Sequence, residues 1–114
     1  MTVYVDDMRA AYGRMVMCHM VADTDDELHA MAQRIGVDRR WHQAPPVARH
    51  SHYDIALSKR AMAVAFGALE ITARQAVIMR RTRRQTGQLG TPQDAQAILD
   101  EAKTKTREKN PASV

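Results

Sequence analysis

The chain has 114 residues, of which 45% are hydrophobic, with a single cysteine and a formal net charge of +4. This length fits one domain with room for a small core, and the lone Cys18 excludes an intramolecular disulfide and a cysteine-based zinc knuckle. The sequence shows neither a signal-peptide pattern nor an apolar stretch long enough to span a membrane, so we expect a cytoplasmic protein.

Charge is distributed unevenly along the sequence. Acidic residues dominate the first quarter, whereas the second half contains a basic block without acids. The arginines of this block are Arg74, Arg80, Arg81, Arg83 and Arg84. The block is either a solvated helix face or a surface for an anionic partner, and on a helix Arg80, Arg81 and Arg84 share one face. The candidate anion-binding residues are Arg74, Arg80, Arg81 and Arg84.

The first two predicted elements are strands. Residues 2–6 alternate valines with more polar residues, which is typical of a short strand. Residues 8–14 are predicted to be a connection, with Gly13 as a flexible joint. Residues 15–22 are apolar on both alternating faces except at His19, which indicates an inner strand covered by helices on both sides.

The first helix is the clearest element of the sequence. Residues 24–27 form a capping box, in which the Thr24 hydroxyl accepts from the Glu27 N–H and the Glu27 carboxylate reaches back to the Thr24 N–H. Apolar residues then recur at helical spacing as far as Ile35, and Gly36 is expected to end the helix.

The middle of the chain predicts a loop, a helix and a strand. A short strand is expected around Trp41, and the two prolines that follow predict a loop that continues to Ser51. A second helix is predicted over about residues 55–66, with Asp54 well placed to cap it, and a short strand follows over residues 68–71.

The last part of the chain predicts two helices. A second capping box at residues 72–75 starts a third helix, which continues to about Thr86. A glycine-containing hinge at residues 85–90 precedes a last helix that begins with Thr91 as N-cap and Pro92 at its first position. Residues 110–114 are expected to be frayed.

These elements predict a small single-domain α/β sandwich with a mainly parallel sheet of three to four strands, in the order ββαβαβαα. We expect the α/β domain to cover residues 1–86. Residues 87–114 are expected to supply the hinge, the C-terminal helix and the frayed tail.

Polar residues from four separate segments interrupt the apolar framework. Asp6 ends the first strand, at the edge where open α/β sheets bind ligands. His19 lies in an otherwise apolar strand, where a neutral imidazole needs a hydrogen-bond partner. His29 borders the buried stripe of the first helix, and His52 and Asp54 follow the proline loop.

These polar residues are either a metal site or an acid–base set. Three histidines and two carboxylates can bind a divalent metal ion, or a carboxylate can fix the tautomer of a catalytic histidine. The candidate metal ligands are Asp6, His19, His29, His52 and Asp54. The candidate catalytic residues are Asp6, His19, His52 and Asp54. Each histidine taken singly can also be a structural residue with satisfied hydrogen bonds.

Several short strings resemble a small bacterial and phage family of unknown function. They are Tyr4-Val5-Asp6, Cys18-His19-Met20, Glu27-Leu28-His29-Ala30, Ile35-Gly36, His52-Tyr53-Asp54 and Gly67-Ala68. The resemblance covers about residues 2–75 and implies that Asp6, His19, Glu27, His29, His52, Tyr53 and Asp54 occur together in the family. The chain departs from many relatives at Asp7-Met8, where they carry prolines, and in its longer loop before His52. The resemblance implies no activity, because the family has none assigned.

Three hypotheses follow from these observations. The chain is a metal-assisted hydrolase of a phosphoester or nucleotide, with the basic third helix holding the anionic substrate. Alternatively, it is a small accessory module that binds nucleic acid or a host protein through its basic C-terminal helices. In the third hypothesis the last two helices form a homo-oligomer interface, and the histidines are structural.

Overall fold

The computed structural model describes residues 2–109, without the side chains of residues 107–109, so the predicted frayed end at 110–114 lies outside the described residues. The strands are β1 (Val3–Val5), β2 (Ala10–Tyr12), β3 (Met15–Ala22), β4 (Tyr53–Ala56) and β5 (Leu69–Glu70). The α-helices are α1 (Asp25–Arg34), α2 (Leu57–Ala65), α3 (Ala73–Thr86) and α4 (Pro92–Lys109). A short 3-10 helix spans Arg39–Trp41.

The sheet formed by these described strands is mixed. β3 pairs antiparallel with β1, β2 and β4, whereas β1 pairs parallel with β5. The prediction of a mainly parallel sheet with three to four strands is therefore wrong, since the sheet has five strands. The segment between β1 and β3 is too short for the crossover that parallel neighbours need, so these strands pair antiparallel.

Two strands lie where other structure was predicted. β2 occupies part of the expected connection, and β4 begins shortly after the predicted loop and includes residues 55 and 56, which were assigned to the start of the second helix. The strand expected around Trp41 is instead the 3-10 helix. Asp54 lies within β4 and does not cap α2, whose N-cap is Ala56 without a side-chain hydrogen bond.

The core of the first part of the chain lies between one face of the sheet and the helices α1 and α2. The strands contribute Val5, Cys18 and Met20, while Leu28 of α1 and Ala63 of α2 cover them. Successive strand residues point to opposite faces, so the residues that alternate with these side chains lie on the other face of the sheet. The first residues of β3 are exposed, although we expected this strand to be buried on both sides.

The N-terminus of α1 is capped by Thr24, as predicted, but with a different second hydrogen bond. Thr24 Oγ1 accepts from the Glu27 N–H at 3.2 Å, and the Thr24 hydroxyl donates to Glu27 Oε1 at 2.9 Å. The expected bond from the Thr24 N–H is thus replaced by one from its hydroxyl. Gly36, at φ +78°, follows the helix and takes the left-handed conformation that glycine adopts without strain.

The chain divides into two compact units, Met1–Ala73 and Arg74–Val114. In the second unit, the Gly90 N–H donates to the Met79 carbonyl at 3.2 Å. Thr91 caps α4 as predicted, because its Oγ1 accepts from the Asp94 N–H at 3.1 Å. The division expected at residue 86 stays a prediction. Among residues 2–109, no helix is both long enough and apolar enough to cross a membrane.

Candidate functional site

Three polar side chains form a row across three strands of the sheet. Val5 pairs with Met20, so Asp6 comes next to His19, and the Asp6 N–H donates to the His19 carbonyl at 3.1 Å. On the other side of β3, His19 is paired with Asp54. Opposite residues of antiparallel strands extend from the same face. The row therefore runs from Asp6 through His19 to Asp54.

Asp6 is 1% exposed, and both of its carboxylate oxygens have partners. Oδ1 accepts from the backbone N–H groups of His19 at 2.9 Å and Met8 at 3.2 Å, and Oδ2 lies 2.8 Å from His19 Nδ1. Burial alone raises the pKa of Asp6, but the hydrogen bonds from His19 and Met8 outweigh it and lower the pKa below its ordinary value. Asp6 is therefore ionised at neutral pH and acts only as an acceptor.

The bond to Asp6 sets the tautomer of His19. Because an ionised carboxylate cannot donate, His19 Nδ1 must carry the proton that lies between them. In the neutral ring, Nε2 then keeps its lone pair. This nitrogen lies 3.6 Å from Asp54 Oδ1.

His52 approaches Asp54 from the start of β4. Its Nδ1 lies 2.9 Å from the carbonyl oxygen of His50, which can only accept, so Nδ1 donates and Nε2 of the neutral ring keeps its lone pair. His52 Nε2 lies 3.4 Å from Asp54 Oδ1. The His50 ring stacks on the His52 ring with centroids 4.2 Å apart. His50 and His52 are two positions apart, a spacing that places both rings on the same side of an extended segment. His50 was nevertheless not predicted as a neighbour of the site.

Gln43 holds the remaining oxygen of Asp54. Its Nε2 donates to Asp54 Oδ2 at 2.8 Å, while its backbone exchanges hydrogen bonds of 2.9 Å and 2.8 Å with His52. Asp54 Oδ1 consequently faces the two imidazoles. Nothing in the sequence pattern marks a lone glutamine before two prolines, so this residue was not predicted.

One ligand atom from each of His19, His52 and Asp54 lies within 4.8 Å of the other two, and we call this group the His19–His52–Asp54 cluster. Three electron-pair donors at such distances repel one another unless a proton or a cation lies between them. Two imidazoles with one carboxylate are a donor set for divalent transition metals. The contact between Asp6 and His19 has the same form as the carboxylate–histidine pairs that orient histidines in metal sites.

Cys18 does not join the cluster, although it precedes His19. Its side chain lies in the core, where burial, with a smaller contribution from the charge of Asp6, raises the pKa of the thiol to about 11. A thiol with this pKa stays protonated at neutral pH, and Cys18 does not belong to the side chains that lie close enough together to share a metal ion.

The structure does not bring His29 to the cluster. Its Nδ1 lies 2.7 Å from the Tyr53 hydroxyl, and Tyr53 points to the face of β4 opposite to that of Asp54. The His29 ring meets the His42 ring edge-on at a centroid distance of 4.4 Å. Burial first, then the charges of Arg39 and His42, lower the pKa of His29.

The predicted anion-binding arginines lie on α3, in the second unit. Arg74, Arg81 and Arg84 are exposed, whereas Arg80 is half-buried. With 3.6 residues per turn, the three exposed arginines extend from one side of the helix.

A comparison with protein families matches residues 3–84 to the model described as "Protein of unknown function (DUF4031)". The chain belongs to the DUF4031 family. This match confirms the resemblance to a small family of unknown function. Searches of curated proteins and of solved structures found no match.

In this DUF4031 chain an open groove of about 820 Å³ borders the cluster, with His19 and Asp54 in its lining. The remaining walls are mainly apolar and come from β2, β3 and the segment around the 3-10 helix. They include Met8, Tyr12, Met15, Met17 and Trp41, together with the cationic Arg40. The cluster is thus accessible from a groove large enough for a small organic molecule.

Proposed function

We propose that this protein is a metal-dependent hydrolase of phosphoesters, in which His19, His52 and Asp54 bind one divalent transition-metal ion. The convergence of two imidazole nitrogens and one carboxylate oxygen carries the proposal. The second polar atom of each ligand side chain has a partner, supplied by Asp6, the His50 carbonyl and Gln43. Each ligand is therefore oriented before any ion binds.

The distances within the cluster support zinc or a similar ion. Ligand bonds of roughly 2.0–2.2 Å at tetrahedral angles hold ligand atoms about 3.3–3.6 Å apart. Asp54 Oδ1 lies 3.6 Å from His19 Nε2 and 3.4 Å from His52 Nε2. Three protein ligands leave a coordination position for water or substrate, as in catalytic zinc sites.

The chemistry that such an ion supplies is activation of water. A bound divalent ion lowers the pKa of a coordinated water toward neutrality. The water oxygen forms a new bond to phosphorus while the ester P–O bond breaks. The leaving oxygen takes the electron pair and a proton that the water gives up, so the products are an alcohol and a phosphate. Asp6 is a positioning residue here, because it contacts His19 and not the reacting atoms.

The metal site is tested by calorimetric titration of the metal-free protein with Zn²⁺, Mn²⁺ and Mg²⁺. We expect His19→Gln, His52→Gln and Asp54→Asn each to weaken Zn²⁺ binding by about a hundredfold or more, because ligand loss costs more than loss of an orienting partner. His29→Gln is the matched control and keeps the wild-type affinity, since His29 lies outside the cluster. Equal Zn²⁺ affinities in wild type and His19→Gln would contradict the site.

The hydrolase is tested separately with p-nitrophenyl phosphate and bis(p-nitrophenyl) phosphate. The Zn²⁺- or Mn²⁺-loaded wild type should release nitrophenol from at least one of them, and His52→Gln should not. If the protein binds the metal tightly and hydrolyses neither ester, the site is a metal-binding site without this activity, and the hydrolase proposal fails.

The three exposed arginines on one side of α3 favour nucleic-acid binding as a second candidate function. Each phosphate contact adds about 0.9 to the slope of log affinity against log salt concentration for duplex DNA. Replacing Arg74, Arg81 and Arg84 by glutamine should therefore lower the slope, measured by anisotropy with labelled duplex DNA. Lys103→Gln on α4 serves as a control for charge alone. An affinity that does not change with salt excludes this candidate.

A further inference from the structure

Two large aromatic side chains in the groove beside the cluster are exposed. Tyr12 is 75% exposed and Trp41 is 57% exposed, and both line the groove. Trp41 is the one tryptophan of the sequence, and Tyr12 is one of three tyrosines. Aromatic rings that are open to a groove offer flat apolar surfaces on which a planar ligand can stack.

The floor of the groove leads from these rings to the cluster. Met15, Met17 and His19 alternate along β3 and therefore share a face, and Tyr12 is paired with Met15 at the far end. His19 is four positions after Met15, which corresponds to about 13 Å along a strand. Ala56, the partner of Met17 in β4, has a small side chain that leaves space above the floor. An elongated ligand can thus contact both ends.

The groove carries a positive charge next to its aromatic wall. Arg40 lines the groove, and its guanidinium carbon lies 5.0 Å from the centroid of the Trp41 ring. This position suits a ligand that combines an aromatic ring with a negative charge, because the arginine can pair with an anion or stack on a flat ring. A purely aliphatic ligand would gain nothing from the guanidinium.

We propose that the groove binds a mononucleotide, with the base against Tyr12 and Trp41 and the phosphate at the His19–His52–Asp54 cluster. This inference rests on the proposed function, since the metal ion at the cluster is the anchor of the phosphate. Tyr12 and Trp41 then select nucleotides among phosphoesters by binding the base, whereas the phosphoester bond is hydrolysed at the cluster.

Trp41 itself reports on the test, because its fluorescence changes when a base stacks on its ring. The Zn²⁺-loaded wild type is titrated with adenosine monophosphate and with ribose 5-phosphate, which lacks the base. We expect the nucleotide to quench Trp41 and to bind about tenfold or more tightly than the sugar phosphate, because stacking of one base on an aromatic ring has an effect of this size.

Variants of the groove residues distinguish the contribution of the base to the binding affinity from that of the phosphate. Tyr12→Ala should weaken binding of adenosine monophosphate about tenfold and leave binding of ribose 5-phosphate and Zn²⁺ unchanged. Phe66→Ala is the matched control, because Phe66 is a 40% exposed aromatic residue outside the groove lining. Arg40→Gln should weaken nucleotide binding, whereas Arg39→Gln on the same 3-10 helix should not.

The possible failures are distinguishable from one another. Ribose 5-phosphate that binds as tightly as adenosine monophosphate overturns the base site and leaves the metal site standing. Nucleotide binding that is equally tight without Zn²⁺ overturns the placement of the phosphate. Absence of Zn²⁺ binding in the calorimetric titration overturns the proposed function itself.

Discussion

Asp6 illustrates how one residue can act on the cluster without being a ligand of it. Its oxygens accept from two backbone N–H groups and from the ring of His19, and its own position at the end of β1 is set by pairing with β3. The carboxylate thereby determines which nitrogen of His19 carries a proton. A metal ion needs the other nitrogen unprotonated.

Asp6→Asn is expected to lower the Zn²⁺ affinity about 10- to 100-fold. The amide of asparagine can donate to His19 Nδ1, which favours the tautomer with its proton on Nε2, where the metal would bind. Calorimetry measures the affinity, and thermal unfolding of the metal-free variant measures stability separately. Asp23→Asn is the control, because Asp23 accepts from the backbone N–H of Thr2 and lies outside the cluster. An unchanged Zn²⁺ affinity in Asp6→Asn would refute the positioning role.

His29 predicts a pH effect that is independent of the metal site. Its pKa in the fold is lowered by burial and then by Arg39 and His42, with Asp25 and Asp26 acting in the opposite direction. Above its ordinary pKa of about 6.5 the neutral His29 contributes fully to stability. That contribution is lost as the pH falls through the lower pKa of the folded state.

We therefore expect Arg39→Gln to raise the pKa of His29, as followed by its ring signals in an NMR titration. The neighbouring Arg40→Gln should leave the pKa unchanged, because Arg40 is not among the groups that shift it. In urea unfolding, His29→Gln should reduce the loss of stability that sets in as the pH falls below about 6.5. The idea fails if both arginine variants shift the pKa equally.

At the scale of secondary-structure elements, helices were predicted better than strands. The starts of α1 and α4 follow from local hydrogen bonds of Thr24 and Thr91, which a sequence pattern records. The strand β2 has the sequence Ala-Ala-Tyr, without an apolar alternation that distinguishes it from a loop. Strand direction depends on partners that are distant in sequence, and so the mixed sheet could not be derived from a local pattern.

The candidate site shows the same division between local and distant information. Asp6 stood out at the end of a predicted strand and His19 inside an apolar strand, whereas His52 and Asp54 stood out because they follow the proline loop. His29 was a candidate because it borders the buried stripe of the first helix, yet the pleat of β4 places its partner Tyr53 and Asp54 on opposite faces. Which polar residues meet is decided by strand register, and register was not readable from the sequence.

The cap of α1 gives a prediction for one element. Thr24→Ala is expected to lower the free energy of unfolding by about 1 kcal/mol, because the Glu27 N–H and the Glu27 carboxylate lose a partner. Thr24→Ser keeps the hydroxyl and should remain close to wild type. Chemical denaturation followed by circular dichroism measures both. Equal losses in the two variants would mean that the hydroxyl does not stabilise the helix.

At the scale of the whole molecule, the proposed metal ion links two parts of the first unit that are distant in sequence. His19 belongs to β3, while His52 and Asp54 come from a tract that follows the proline loop. A ligand that binds only the folded state stabilises it by mass action. Metal binding should therefore appear in the stability of the chain as well as in a binding assay.

Zn²⁺ at about 100 times its dissociation constant should raise the free energy of unfolding by about 2.7 kcal/mol. For a chain of this size the melting temperature should increase by on the order of 10 °C, and a chelator should reverse the increase. The double variant His19→Gln/His52→Gln is the control and should show no increase. An equal increase of the melting temperature in wild type and in this variant would mean that Zn²⁺ stabilises the chain by binding outside the cluster.

The tract of residues 50–54 alternates between two environments. His50, His52 and Asp54 gather with His19, whereas Ser51 contacts Asp25 and Tyr53 contacts His29 on the side of α1. Deleting one residue inside the tract would exchange these two sets and turn the imidazoles toward the core. A change of length is therefore tolerated more readily in the loop before the tract than inside it, because a substitution or deletion within these five residues that suits one side of the sheet is constrained by the contacts on the other side.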